Sequence, residues 1–150
     1  MFFRFLRKKV DEFRESLLEP IPPDFHSLET GDAFRTCIDC CRALSYTEYL
    51  IEKIYQDGEV IYEYALCVDC GKKLKDDLSK ESMKSVRRFL RRNRVVKESL
   101  EACGCCGLPK HELPSYQIVG QFSGDSMLNW NLPLLICETC VEELSEGLSK

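Results

Sequence analysis

The sequence predicts a small α+β protein that is stabilised by metal and built as two tandem units of one plan. Three observations lead there. Ten cysteines stand in a chain of 150 residues. Eight of them fall into four pairs of one spacing, and each half of the chain repeats the order cysteine pair, strand-forming residues, cysteine pair, helix-forming residues.

The pairs are Cys37/Cys40, Cys67/Cys70, Cys103/Cys106 and Cys137/Cys140, with 26 residues between Cys40 and Cys67 and 30 between Cys106 and Cys137. Tetrahedral zinc takes four soft donors at about 2.3 Å, and two thiolates three residues apart curl round one ion. A second pair closes the sphere and leaves no position for water or substrate, which makes the metal structural. The reading is two Zn2+ ions, each on four cysteines. Thioredoxin-like redox pairs and iron–sulfur ligation are the competing readings; four pairs with matched gaps favour zinc over both. The only histidines, His26 and His111, stand in no ligand-like spacing. Cys41 and Cys105 are left over, and they read as small residues filling corners, with exchange into the ligand set as the functional alternative.

Met1–Val10 interleaves Phe and Leu with Arg and Lys and lacks the apolar core of a secretory signal. A reducing cytoplasm is therefore expected, where dense cysteine means metal or redox chemistry and not disulfides. The longest apolar stretch, Leu132–Cys137, is strand-sized and contains Pro133, so no transmembrane segment is expected.

Between the first two pairs, Tyr46–Tyr55 and Val60–Leu66 flank Asp57-Gly58, a strong hairpin signal. After Cys70, Leu74 and Leu78 lie one helical turn apart, which places the second pair at a helix start, where free N–H groups and the dipole stabilise anionic sulfur. Knuckle, hairpin and helix make a treble-clef-like unit. The second half repeats it: Cys103-Gly-Cys-Cys106 as knuckle, Tyr116–Phe122 as strand, a turn at Ser123–Asp125, a strand from Leu132 to Ile136, and Val141, Leu144 and Leu148 as a helical stripe. Pro133 puts that last strand at an edge or makes its start irregular. A unit of some 40 residues rarely holds itself by its core alone; a structural zinc is worth on the order of 10–16 kcal/mol.

From Ser79 to Ala102 neither Gly nor Pro occurs, and Met83, Val86, Leu90, Val96 and Leu100 recur at helical intervals. This predicts an amphipathic connecting helix whose other face carries Lys84, Arg87, Arg88, Arg91, Arg92, Arg94 and Lys97 with no acid among them. The face suits nucleic acid or, given an overall pI near 5.3, an acidic surface of this protein or a second copy. Phe2, Phe5, Leu6, Val10, Phe13 and Leu17 predict an N-terminal helix up to Glu19, stopped by Pro20-Ile-Pro-Pro23. The organisation read from the sequence is thus 1–23 N-terminal helix and linker, 24–79 first zinc unit, 80–102 basic helix, 103–150 second zinc unit.

The first unit, with Cys37-Ile-Asp-Cys40, the run Tyr49–Val60 and Ala65-Leu-Cys-Val-Asp-Cys70, resembles the N-terminal zinc finger of McsA-type bacterial adaptor proteins. The second, with Cys103-Gly-Cys-Cys106-Gly-Leu-Pro and Leu135-Ile-Cys-Glu-Thr-Cys140, resembles the zinc-binding domain at the start of ClpX unfoldases, although its insert is longer. The resemblances imply a zinc-stabilised domain that dimerises or recruits protein partners, in a setting of protein quality control, through the eight cysteines above.

The expected function is accordingly a non-enzymatic protein interaction module, an adaptor or scaffold able to form a homodimer; a nucleic-acid-binding regulator using residues 84–97 is the alternative. An enzyme is disfavoured, because zinc nucleases of this plan need histidine at the metal and zinc deaminases need His-x-Glu with Pro-Cys-x-x-Cys. His111-Glu112 reads as surface.

Overall fold

The computed structural model describes residues 18–76, 80, 84, 100–128 and 133–148. Its elements are β1 (Leu18–Pro20), β2 (Glu48–Gln56), β3 (Glu59–Cys67), α1 (Val68–Asp76), β4 (Ser115–Ser123), β5 (Ser126–Leu128), β6 (Leu134–Cys137) and α2 (Glu138–Leu148), with short 3-10 turns at Pro23–Phe25 and Lys110–Glu112.

The first hairpin forms where the sequence asks for it. Asp57 and Gly58 both take positive φ, 51° and 82°, the left-handed pair whose twist matches that of the flanking strands. In the second half the strand facing β4 is broken in two: β5 pairs with the end of β4 and β6 with its beginning. Pro133, which has no N–H to give a ladder, stands directly before β6.

The two halves share one antiparallel sheet, ordered β1-β5-β4-β2-β3, with β6 also on β4. Nine residue pairs join β2 to β4, from Glu48↔Ser123 to Gln56↔Ser115. Tyr49 and Tyr116 are equivalent positions 67 residues apart, as are Tyr55 and Phe122, and the register sets Tyr49 opposite Phe122 and Tyr55 opposite Tyr116. The rings stack at 5.4 Å in one pair and 4.8 Å in the other. A pseudo-two-fold axis therefore passes between Glu52 and Val119. Both hairpin tips obey it: the Asp57 N–H donates to the Pro114 carbonyl at 2.8 Å, and the Gly124 N–H to that of Thr47 at 3.2 Å. The joint satisfies the backbone groups of two strands that would otherwise be exposed edges.

One face of this sheet carries the core. Tyr49, Ile51, Ile118 and Phe122 are buried there together with Phe25, which meets Phe122 edge-on at 5.1 Å. Phe25 comes from the N-terminal strap, and Gly120 makes room for it: a Cβ at Gly120 would lie 2.8 Å from the Phe122 ring and 2.9 Å from that of Phe25. At the equivalent place on the other side of the axis stands Lys53, 4% exposed. Its ammonium donates to the His26 carbonyl and sits 3.2 Å from Glu63 Oε2. That oxygen has no aligned hydrogen bond and takes the ammonium as its ion partner, while Oε1 accepts the Leu28 N–H at 2.8 Å and the Ser27 hydroxyl at 3.3 Å.

The expected helices need revision at their ends. Leu18 and Glu19, assigned to the N-terminal helix, are in strand β1 on β5, because a residue preceding proline is pushed out of the α region and toward β. The rest of that helix, Phe2 to Leu17, lies outside the described residues. Of the connecting helix, Lys80 and Lys84 are helical. It does not reach Ala102: Leu100 and Glu101 bend, and Ala102 forms an isolated bridge to Pro109 that belongs to the second knuckle. The remaining residues of 77–99 lie outside the described residues. Val141 and Leu144 of α2 pack against the core as predicted, but Leu74 of α1 is 59% exposed. No helix among the described residues is long and apolar enough to cross a membrane.

Candidate metal centres

The two knuckles are built from the same hydrogen bonds. The Cys37 N–H donates to the Arg42 carbonyl and the Cys103 N–H to that of Leu108, both at 2.9 Å. The Cys41 N–H turns back to the Cys37 carbonyl at 3.0 Å, and the Gly107 N–H to that of Cys103 at 2.9 Å. Each knuckle is bracketed by an isolated bridge, Thr36↔Ala43 or Ala102↔Pro109. Each is also pinned to the last strand of its unit, by the Ile38 N–H to the Ala65 carbonyl at 2.9 Å and the Gly104 N–H to that of Leu135 at 2.8 Å. That strand ends in the third ligand and runs into the helix carrying the fourth, so β3 delivers Cys67 to α1 with Cys70, and β6 delivers Cys137 to α2 with Cys140.

This scaffold gathers all eight predicted ligands into two clusters, Cys37, Cys40, Cys67 and Cys70, and Cys103, Cys106, Cys137 and Cys140. In each, the four sulfurs lie within 4.8 Å of one another, and in each the second knuckle cysteine is the exposed one. None of the ten cysteines is in a disulfide. The fit to zinc can be tested on distance. Four sulfurs at about 2.3 Å from one centre stand about 3.8 Å apart along a tetrahedral edge. The observed Sγ separations are 3.7 Å for Cys40 to Cys67, 3.8 Å for Cys103 to Cys140 and 3.7 Å for Cys106 to Cys137. Two groups of four cysteines, each placed to hold one ion, fit two zinc ions.

The local electrostatics also call for a cation. Burial raises the cost of a thiolate at Cys37, but the amides of Cys40, Cys67 and Asp39 outweigh it together and bring the thiol down to about 6. Cys103 is the counterpart: burial opposes ionisation and the amides of Cys106, Cys137 and Cys105 prevail, leaving it at about 7. The Cys67 and Cys137 amides donating to these sulfurs are both at 3.3 Å. Cys70 and Cys140 go the opposite way, pushed well up by burial and by the neighbouring sulfurs. One thiolate per site is stabilised by the backbone, and a full set of four needs a bound dication to offset burial and mutual repulsion.

The leftover cysteines prove unlike each other. Cys105 is buried as expected, with its thiol pushed up to about 12 by burial and then by Cys103. Cys41 fills no corner: it is exposed, and it holds a left-handed φ of 61° where the second knuckle has Gly107 at 80°. Sequence reasoning also passed over a clamp at the first site, where the Arg42 guanidinium, exposed in the knuckle, donates to Asp69 in the first turn of α1. Leu108 stands at the Arg42 position of the second knuckle.

Of the predicted basic face, Lys84 is described and exposed; Arg87, Arg88, Arg91, Arg92, Arg94 and Lys97 lie outside the described residues. His111 and Glu112 are exposed as predicted. They line an open crevice of about 700 Å³ between the β2–β3 tip and the Lys110–Glu112 turn, whose walls carry both signs of charge. No protein-family model, no curated protein and no solved structure matches the chain, so the assignment rests on the geometry of its two four-cysteine clusters.

Proposed function

We propose that this chain is a non-enzymatic zinc protein of two treble-clef-like units, which serves the cytoplasm as a protein interaction module of the adaptor or scaffold kind. The observation that carries the reading is the pair of closed, all-sulfur sites. Zinc bound there would supply a rigid crosslink between knuckle and helix, and with every position filled by thiolate it would offer no coordination site to a substrate. The chain's own residues do the rest: amides hold the sulfurs, the hairpins join edge to edge, and the strap closes the core face. What remains for function is outer surface. The motif-level resemblance of the two units to adaptor and unfoldase zinc domains agrees with this and suggests a place in protein quality control. Since β2 and β4 already occupy each other's edges, any homodimer would have to use another surface.

Metal analysis of the purified chain tests the first half of the reading, with two zinc per chain and little iron as the expected result. One zinc, or a brown iron-containing protein, would overturn it. The second reading, nucleic-acid binding through residues 84–97, is favoured by the row of seven cations. Anisotropy titrations with single-stranded RNA and duplex DNA across a salt series decide it, since phosphate contacts lose affinity steeply with ionic strength. No binding at low salt eliminates it.

A further inference from the structure

We propose, resting on the interaction-module reading, that the free edge of β3 from Glu59 to Glu63 accepts an extended cationic and apolar peptide segment of a protein partner as an added antiparallel strand. Among the described residues β3 ends the sheet, with β2 on one side and no strand on the other. Farther along, its outward edge is used: the Ala65 carbonyl accepts the Ile38 N–H. The N–H and C=O of one residue in an antiparallel strand face the same neighbour, and the side alternates residue by residue. Glu63, two positions from Ala65, therefore presents both groups outward.

The other half of the molecule shows what such an edge takes. Under the pseudo-two-fold axis Glu59 and Val60 correspond to Ser126 and Met127, since Gln56↔Glu59 and Tyr55↔Val60 match Ser123↔Ser126 and Phe122↔Met127; beyond them the bulge leaves Ile61 out of register and sets Tyr62 opposite Ile54 where Leu128 faces Gln121. In the second half this stretch, β5, accepts the antiparallel strand β1 from Leu18–Pro20. The same kind of edge is thus filled in one unit by the chain itself, and in the other no strand among the described residues takes it. Three exposed apolar residues stand on or beside the β3 edge: Ile61, 58% exposed, lies on it, and Ile38 and Leu28, 52% and 68% exposed, are tied to it through N–H bonds to Ala65 and Glu63.

Charge selects the occupant. The only cations between residues 27 and 66 are Arg35, Arg42 and Lys53, and each faces an acid, Asp32, Asp69 and Glu63 respectively. Glu29, Asp39 and Glu59 remain exposed in this stretch, with Glu59 on the edge itself, while Asp57 lines the crevice that also holds Lys110 and His111, so a strand added beside Glu59 and Glu63 meets negative charge. A second copy pairing β3 on β3 about Ile61 would set Glu59 against Glu63, and like charges directly opposite are destabilising. The register shift of β3 opposite Ile54 and Tyr55 further breaks a flat edge against open-ended self-pairing.

The test uses the full zinc-loaded chain and three labelled probes: a capped ten-residue peptide of alternating Lys and Val, its Glu/Val counterpart, and a single-stranded RNA. Saturable binding of the Lys/Val peptide is expected, with hydrogen exchange slowed in the segment around Ile61 and Glu63. Glu59→Lys should weaken binding about fivefold at low salt, less at high salt. Ile61→Thr should weaken it at all salts. Both variants must keep two zinc and the parent circular dichroism. Binding with protection elsewhere, or equal binding of the Glu/Val peptide, overturns the edge assignment and leaves the interaction-module reading standing. RNA binding without peptide binding overturns both, and binding of neither overturns the edge assignment. Sedimentation that shows a dimer abolished by Ile61→Thr would make a second copy the occupant and overturn the cationic-peptide assignment.

Discussion

The two zinc units share a backbone plan and spend their side chains differently. Each has the same knuckle hydrogen bonds, the same burial of ligands and the same tyrosine at the start of its long strand. The first unit has an unbroken hairpin, an Arg42–Asp69 clamp and a buried Lys53–Glu63 pair; the second has a split partner strand, Leu108 in the knuckle and Gly120 at the Lys53 position. It also has the strap ring of Phe25 against that glycine. What is common follows from the metal and the hydrogen bonds that shape its donors. What differs follows from the strap, which crosses one face of the sheet and meets a polar pair on one side of the axis and an aromatic ring on the other.

The largest effects should come from the ligands. Cys67→Ser and Cys137→Ser each remove a donor that has no substitute, at a cost on the order of the 10 kcal/mol zinc contribution, comparable with a whole domain's stability of about 5–15 kcal/mol. Because β2 and β4 share nine pairs, loss of either site should unfold both units in a single transition, followed by circular dichroism with zinc content on the same sample. A variant that keeps one zinc and half of its strand signal would show that the units fold independently.

Next comes the contrast between Lys53 and Gly120. Lys53→Met leaves the Glu63 carboxylate beneath the strap without its cation, and removing one partner of a buried pair costs about 3–5 kcal/mol. Gly120→Ala inserts a methyl where two rings already stand within 3 Å, an overpacking of about 1–3 kcal/mol. Thermal melts should rank them in that order. Nearly equal values would mean that the strap responds to both insults alike.

The knuckles offer a reciprocal exchange. Cys41→Gly should stabilise by about 0.5–1 kcal/mol, since the site is left-handed and exposed, while Gly107→Cys should cost about 1 kcal/mol or more for the reverse reason. Chemical denaturation with zinc held constant checks both signs.

The smallest effect belongs to Arg42. Its guanidinium holds the Asp69 carboxyl below the usual carboxylate range, first by the hydrogen bond and then by charge. A depressed carboxyl contributes above its unfolded pKa and loses that contribution as pH falls through the folded value; for a pair exposed to solvent on its outer side the change in stability should be too small to resolve. In Arg42→Ala an NMR titration should show Asp69 back near its ordinary midpoint. An unmoved midpoint would make the clamp electrostatically idle.

Much of each unit was legible in the sequence because its determinants are local. The Cys-x-x-Cys spacing names the ligands, Asp57-Gly58 names the hairpin turn, and Pro133 marks the break before β6. The joint between the units was not legible, because pairing β2 with β4 depends on two strands more than fifty residues apart finding one register. The repeat of Tyr49 at Tyr116 and of Ile51 at Ile118 was the only trace of it. Leu18 and Glu19 follow directly on a helical period that ends at Leu17, and pairing with β5 and the following proline set them in a strand. Lys53 reads as a surface cation until Glu63 and the His26 carbonyl close around it, and nothing local says that Cys41 must take a left-handed turn.

The internal pairing of β2 with β4 has a further consequence, in polymer terms. The joint is an association made intramolecular, so one chain supplies both strands at an effective concentration that two separate units would not have. An interface of nine residue pairs and two ring stacks then needs only modest intrinsic affinity to stay closed. Because the entropy of closing a loop grows with the logarithm of its length, doubling the connection would cost only about 0.6 kcal/mol. On this scale the length of the connection bears far less on the joint than the register of the strands it brings together.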